Sequence, residues 1–540
     1  LTYNALLTYN ALLTYNALLT YNAFEPHMIN LLDCTLRDGG YYTQWDFNRP
    51  VVDTYIEACN HLPIDYVEVG YRSLPQDEYR GEYFYCPMPV LERIREQSDK
   101  KLAVLVDEKS VRPQDFSRVL GPCTDIVDLV RIAVKPSFFG RALALGEAVK
   151  AQGFDVSFNV MYMSDWEKSP DLFELMPEVD GIVDYLYLVD SYGGVFPDDV
   201  ERAIQRLQSI TEVPLGFHGH NNLQMALTNT LRAIESGVSI VDATVTGMGR
   251  GAGNLRTELL LTVLNAREGI DFDFNWLSKV VDPFRTLKNK HGWGTNLPYM
   301  VSGANSIPQA QVMEWVSQRY YSFNSIIRAL NNRSEGIEDN RKLPTLDFSE
   351  KNGYSGALIV GGGPSAAKHG DALHHFAASR PNMAIIHASS KNALSFQDVS
   401  NDQFFCLIGN EGYRLERVFG DRSVHGRCIL PPFPRKMGTY IPSALEEQTY
   451  ELSALNVTDD PPESHTSIAL QAVRDLGLDI VYLAGYDGYA ESEMGKKEQA
   501  LFRENERLFE EAADVLQASL ISITPTKYTK LQQGSVYTEI

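Results

Sequence analysis

The stretch LLDCTLRDGGYY (residues 31–42) begins as an apolar run suited to a buried strand and closes on a charged pair, Arg37-Asp38, followed by two glycines. Opposite charges at a strand tip make sense if several tips face one common site. Seven more runs of this kind follow: IDYVEVGY (64–71), KLAVLVDE (101–108), DIVDLVRIAV (125–134), FDVSFNVMYM (154–163), VDYLYLVD (183–190), VPLGFHGH (213–220) and VSIVDATV (238–245). Between them, segments such as PVVDTYIEACNHL, SFFGRALALGEAVKAQG, PDDVERAIQRLQSI and NLQMALTNTLRAIESG repeat apolar residues every three or four positions, the helical period. Eight alternations of strand and helix over about 220 residues predict a (β/α)8 TIM barrel. An open doubly wound sheet shows the same alternation, and the even length of the eight units favours closure.

The remaining chain divides by pattern. The barrel is expected over 28–270 and a helical extension over 271–345. The charged stretch 332–353 reads as connecting chain, with the linker placed at 346–355. GALIV (356–360), MAIIHAS (383–389), QFFCLIGN (403–410), DIVYLAGYD (479–487) and SLISITPT (519–526) predict a second, Rossmann-like α/β domain over 356–540. Residues 1–24 are a six-residue repeat, LTYNAL three times and then LTYNAF, followed by Glu25-Pro26-His27-Met28. Residues 1–27 read as a tag or added segment before a natural start at Met28; the alternative is an apolar arm that pairs with a partner.

The 48 Lys and Arg against 70 Asp and Glu give a net charge of −22, which argues against nucleic acid or an anionic membrane surface as partner. No apolar run approaches the roughly 20 residues of a membrane span. Six cysteines stand without a CxxC or short metal-ligand spacing, so a reducing, cytoplasmic setting is expected and none is assigned to catalysis.

In a barrel of this type the chemistry sits where the loops leave the C-terminal strand ends. Strand seven ends in His218-Gly219-His220, and alternate positions face the same way, so both imidazoles can hold one metal ion. Asp38 is the natural third ligand, and Asn254, in the Gly-rich TGMGRGAGNLRTE turn (246–258), can offer a carbonyl oxygen. Arg131, inside strand four, suits either a substrate carboxylate or an interior ion pair.

LLDCTLRDGG, EVG after strand two, VDSYGG after strand six, HGHNN and GMGRGAGN, in this order, resemble the metal-dependent aldolase, lyase and Claisen-condensing (DRE-TIM, HMG-CoA lyase-like) superfamily, and within it the 4-hydroxy-2-oxovalerate aldolase branch. The resemblance implies that Asp38, His218 and His220 are metal ligands, with Asn254 a ligand in the lyase branch. It implies a divalent ion, Mn²⁺ or Mg²⁺ first and Zn²⁺ or Co²⁺ next. Arg37 becomes the enolate-stabilising cation and Glu68 the acid that orients it, while Asp190 and Ser191, after strand six, are expected to position substrate or a nearby water. Where that branch places a general-base His, three residues after the ligand Asp, this chain has Tyr41, and a phenol with an ordinary pKa of about 10 is a poor base at neutral pH. The strand-five lysine of biotin-dependent carboxyltransferases is missing from DVSFNVMYM.

GALIVGGGPSAAKHGDALHHF (356–376) is a strand, a glycine turn and a helix. With AIIHAS and TSIALQAVRDLGLDIVYLAGYDGY it resembles the pterin-pyrophosphokinase and motility-accessory-factor group. That implies a nucleotide-linked ligand near Gly361, Gly363, Ser365 and Asp487. The expected function is a metal-dependent aldolase acting on a 2-oxo acid and an aldehyde, as a homo-oligomer. The alternatives are a Claisen-type acyltransferase or acyl-CoA lyase on the same metal site, and a non-catalytic ligand-binding scaffold.

Overall fold

A strand covered on both faces must be apolar on both, and strand β4 (Leu129–Val134) is buried along its whole length. Val130, Ile132 and Val134 belong to the large core shared with the surrounding helices, whereas Leu129 joins Leu32, Tyr66, Ala103, Tyr187, Val189 and Ile240 in a separate inner cluster. Two such layers on opposite faces of one ring of strands describe a barrel. The computed structural model describes residues 29–317, 321–347, 353–460, 462–489 and 496–540. In it β1 (Asn30–Asp33), β2 (Tyr66–Tyr71), β3 (Lys101–Asp107), β4, β5 (Asp155–Val160), β6 (Tyr185–Asp190), β7 (Leu215–Gly219) and β8 (Ile240–Ala243) form a closed barrel in sequence order. Parallel pairing of β1 with β8, Asn30 opposite Ile240 through Asp33 opposite Ala243, closes it. The expected TIM barrel is therefore present.

The opening stretch departs from its expected form. Residues 31–42 are not a strand running to Arg37-Asp38: β1 stops at Asp33, and Thr35–Thr43 is a helix, α1. The Asp33 carboxylate accepts from the Thr35 amide at 2.9 Å and its hydroxyl at 2.5 Å, a local turn that competes with the sheet ladder. Gly39 and Gly40 serve close packing instead of a strand break. A Cβ on Gly40 would lie 2.1 Å from the Trp45 ring, and one on Gly39 2.6 Å from Met248 Sδ.

The compact division of the chain falls between Ala310 and Gln311. The helices Phe274–His291 and Leu297–Ala304 therefore go with the barrel and Phe323–Ser334 with the second unit. Residues 1–27, and 348–352 of the expected linker, lie outside the described residues. The second unit holds a sheet of eight parallel strands: β9 (Gly356–Val360), β10 (Met383–His387), β11 (Gln403–Cys406), β12 (Arg427–Leu430), β13 (Thr449–Glu451), β14 (Ile480–Ala484), β15 (Ser519–Ser522) and β16 (Gln532–Gln533). Their order is β13-β12-β11-β10-β9-β14-β15-β16, so the direction of winding reverses at β9. No helix of the described residues is long and apolar enough to cross a membrane.

Because Gly40 sits against the Trp45 ring, Gly40→Ala should displace that ring and lower the unfolding free energy by about 1–3 kcal/mol. Denaturant titration beside the wild type measures it; an unchanged midpoint would mean that the ring yields without cost.

Candidate active site

Inward positions of barrel strands are expected to be apolar, yet β2, β4 and β8 each place a charge there. Glu68, Arg131 and Asp242 are almost fully shielded from solvent, and charges in such a place must be paired. Glu68 Oε2 lies 2.8 Å from Arg37 Nε and 3.1 Å from Arg131 Nη1, and Asp242 Oδ2 lies 2.5 Å from Arg131 Nη2 and 2.8 Å from His218 Nδ1. Arg131 also stands 4.5 Å over the Tyr187 ring. A continuous line of contacts thus runs from Arg37 through Glu68, Arg131 and Asp242 to His218. Of the two readings open for Arg131, the interior ion pair is the one observed. A register shift between Glu68 and Gly70 lets β2 turn its side chains locally.

Burial works against the Asp242 charge, but Arg131 and His218 outweigh it and hold the carboxyl down to about 2. An ionised Asp242 only accepts, so His218 Nδ1 donates to it and Nε2 keeps its lone pair, 3.7 Å from Asp38 Oδ2. His220 lies just past the end of β7, its ring centroid 5.0 Å from that of His218. Its Nδ1 donates to the Asp190 carbonyl at 2.8 Å, again leaving Nε2 free. Burial and the neighbouring His218 lower its pKa to about 4, so it is the neutral, ligating form. Burial also works against the Asp38 charge, yet Arg37 beside it holds that carboxyl below its usual range.

Asn254 Nδ2 donates to Asp38 Oδ2 at 2.6 Å, while its Oδ1 is buried without a hydrogen-bond partner among the described residues. A carboxylate, two imidazoles and an orphaned amide oxygen make a donor set that fits a divalent metal ion. Ligand atoms of Cys34, Asp38 and His218 lie within 4.8 Å of one another. Burial pushes the Cys34 thiol well above its usual pKa, and its Sγ approaches the Ala243 carbonyl at 3.5 Å, so it stays a thiol and a weak ligand.

Arg37, Asp38, Glu68, His218, His220 and Asn254 are thus brought together. Tyr41 stands beside them with its hydroxyl 3.1 Å from that of Tyr71 and its ring edge-on to Trp45. Asp190 and Ser191 make hydrogen bonds to neighbouring loop amides. The Asp190 carboxylate accepts from the amides of Gly194 and Val195, and burial raises its pKa to about 6. Ser191 Oγ accepts from the Tyr162 amide at 2.8 Å. Cys34, Tyr71, Asp242 and Arg250 were not singled out from sequence. For Asp242 a signal existed, because in VSIVDATV it shares a face with Ile240; Arg250 was hidden inside a glycine-rich turn.

In the second unit Gly361, Gly363, Ser365 and Asp487 also converge, at the ends of β9 and β14. The Ser365 amide and hydroxyl donate to Asp487 at 2.9 and 2.8 Å, and the Gly361 and Gly363 amides donate to the carbonyls of Ala484 and Gly485, each at 2.8 Å. The amides of Gly361, Gly363 and Ser365 are thus occupied by the neighbouring loop. Lys391 Nζ donates to the Gly362 carbonyl at 3.1 Å and adds a positive charge there.

Comparison with known proteins agrees with this geometry. The HMGL-like family model matches residues 118–282. An oxaloacetate decarboxylase of Mycobacterium tuberculosis is 29% identical over 247 residues, 44% of this chain and 70% of that protein. A 4-hydroxy-2-oxovalerate aldolase of Geobacillus genomosp. 3 is 30% identical over 257 residues, 45% of this chain and 72% of that protein. The crystal structure of the N-terminal domain of an aldolase candidate from Bacteroides vulgatus shares 51% identity, covers 56% of this chain and 100% of that domain, and superposes with a TM-score of 0.54. With its metal-fitting strand ends on a closed eight-stranded barrel, the chain belongs to the HMGL-like family of DRE-TIM metal-dependent carbon–carbon lyases.

Proposed function

We propose that the barrel cleaves, and in reverse forms, the C3–C4 bond of a 4-hydroxy-2-oxo acid, with pyruvate and an aldehyde on the other side of the reaction. The observation that carries this reading is the free edge of Arg37. Its Nε is bound by Glu68 and its Nη1 by Asp38, while Nη2 has no hydrogen-bond partner among the described residues. A guanidinium clamped by two carboxylates keeps one donor for an oxygen on which negative charge grows. The relatives' names add support, since 4-hydroxy-2-oxovalerate and oxaloacetate are both 2-oxo acids.

Asp38, His218, His220 and Asn254 would hold a divalent ion, Mn²⁺ or Mg²⁺ first, which when bound supplies Lewis acidity at the carboxylate and keto oxygens of a 2-oxo acid. As the C3–C4 bond breaks, its electron pair moves toward C3 and the keto oxygen, and Arg37 Nη2 faces that oxygen. The C4 hydroxyl gives up its proton and leaves as the aldehyde; C3 later takes a proton to give pyruvate. Tyr41 is the group we place at the C4 hydroxyl, with the Tyr71 hydroxyl at 3.1 Å as the next member of a two-phenol proton path. Asp190 positions His220 through its carbonyl instead of touching substrate.

For the second unit the reading is a nucleotide-linked ligand at Gly361, Gly363, Ser365 and Asp487. Its support is position: these residues lie at the C-terminal ends of β9 and β14, where strand order reverses and a crevice opens in sheets of this kind. The acidic balance and six free, buried cysteines support a cytoplasmic setting.

In D₂O with Mn²⁺ or Mg²⁺ the wild type should exchange the methyl protons of pyruvate, and Arg37→Met should slow exchange about 10²–10³-fold. No exchange by the wild type, or equal exchange by Asp38→Asn, sinks the aldol reading. Asp242→Asn, which replaces the carboxylate that fixes the His218 tautomer with an uncharged amide able to donate to Nδ1, should weaken Mn²⁺ binding about 10–100-fold in a direct metal titration. For the second unit, ATP or a nucleotide sugar should raise the melting temperature of the full chain, and Lys391→Glu should reduce that rise; absence of any shift across a nucleotide panel argues for an assembly role.

A further inference from the structure

Three arginines in and around the barrel mouth are held by hydrogen bonds or ion pairs. Arg37 is held by Asp38 and Glu68, Arg131 by Glu68 and Asp242, and Arg72 by the carbonyls of Tyr85, Cys86 and Val119. Arg250 differs. It lies in the turn after β8 that also carries Asn254, is half-buried, and its guanidinium makes neither a hydrogen bond nor an ion pair among the described residues. It lies over the Tyr41 ring, 3.9 Å from the centroid. Burial works against its charge, but Tyr41, Tyr71, Asp38 and Tyr162 around it favour the cation, so it remains charged.

Stacking on an aromatic ring uses the face of a guanidinium and leaves its N–H edges unused. A half-buried guanidinium whose edges have no protein partner among the described residues is open to an incoming anion. The carboxylate at C1 of a 2-oxo acid would have its place at a divalent ion held by Asp38 and the two histidines. A planar guanidinium edge matches a planar carboxylate in two-point contact.

We infer that Arg250 binds a second carboxylate at the far end of the substrate, so that the preferred 4-hydroxy-2-oxo acid is a dicarboxylate and the aldehyde it releases carries that carboxylate. This rests on the aldol reading above and narrows its substrate class. The same contact would draw the far end of the substrate across Tyr41, which is where that reading needs the C4 hydroxyl.

The test compares 4-hydroxy-2-oxoglutarate with 4-hydroxy-2-oxovalerate on the full chain loaded with Mn²⁺. The wild type should prefer the dicarboxylate in kcat/KM by about 10–100-fold, the worth of a charged hydrogen-bonded contact, mainly through KM. Arg250→Gln should bring the ratio toward one, and Arg250→Lys should restore part of it. A wild-type ratio of one or less overturns the inference. So does an unchanged ratio in Arg250→Gln, which would mean that Arg250 holds the shared C1 carboxylate. If neither compound is cleaved, calorimetric binding of 2-oxoglutarate and 2-oxobutyrate makes the same comparison without turnover. A preference for 2-oxoglutarate that Arg250→Gln removes then keeps the inference while the aldol reading falls; equal binding sinks both.

Discussion

Arg37, Glu68, Arg131, Asp242 and His218 touch end to end across the barrel interior, and the mouth of the barrel takes its shape from that line. Each interior charge is tolerable only because the next one lies within ion-pair distance, so no member can turn away without leaving its neighbour uncompensated in a dry interior. The ends of the line are the two groups that matter chemically. One end presents the open edge of a guanidinium, and the other presents the lone pair of His218 Nε2. Orientation at the surface of the site is thereby set from below, by Glu68, Arg131 and Asp242.

Above this line the loops divide the remaining work. The helix that begins at Thr35 brings Arg37 and Asp38 to the mouth, and the turn after β8 brings Asn254 against Asp38 and Arg250 over Tyr41. Asp190 and Ser191 hold neighbouring loops in place. The second unit shows how similar strand-end architecture can settle differently. There Ser365, Gly361 and Gly363 have their donors met by the adjoining loop and by Asp487, so local order is complete without an incoming group. The barrel mouth, in contrast, keeps an orphaned amide oxygen on Asn254 and an Arg250 edge without a partner among the described residues.

Much of this was legible in the chain. Eight apolar runs with helical segments between them specify a barrel because buried parallel strands need apolar residues on both faces and crossover helices need a stripe on one. The two histidines of HGH, the Arg37-Asp38 pair, Glu68 and Asn254 were legible as polar residues next to strand ends, where a barrel gathers its chemistry. Less legible was the path of residues 31–42. Alternation along LLDCTLRD continues to suit a strand, and only the bonds from Thr35 back to Asp33 turn the chain into a helix.

The sequence by itself determined the class of fold, the composition of the mouth and the kind of donor set it carries, because these follow from local periodicity and residue chemistry. The tertiary structure decided which charges meet. Arg131 finds Asp242 across 111 residues, and Asn254 finds Asp38 across 216. Pairings of that range depend on barrel closure, since only the contact of β8 with β1 brings the last turn of the barrel beside the first. Closure likewise decides that, among the described residues, Arg37 keeps one free edge and Arg250 stacks on Tyr41 without a carboxylate, because these contacts depend on neighbours from distant parts of the chain.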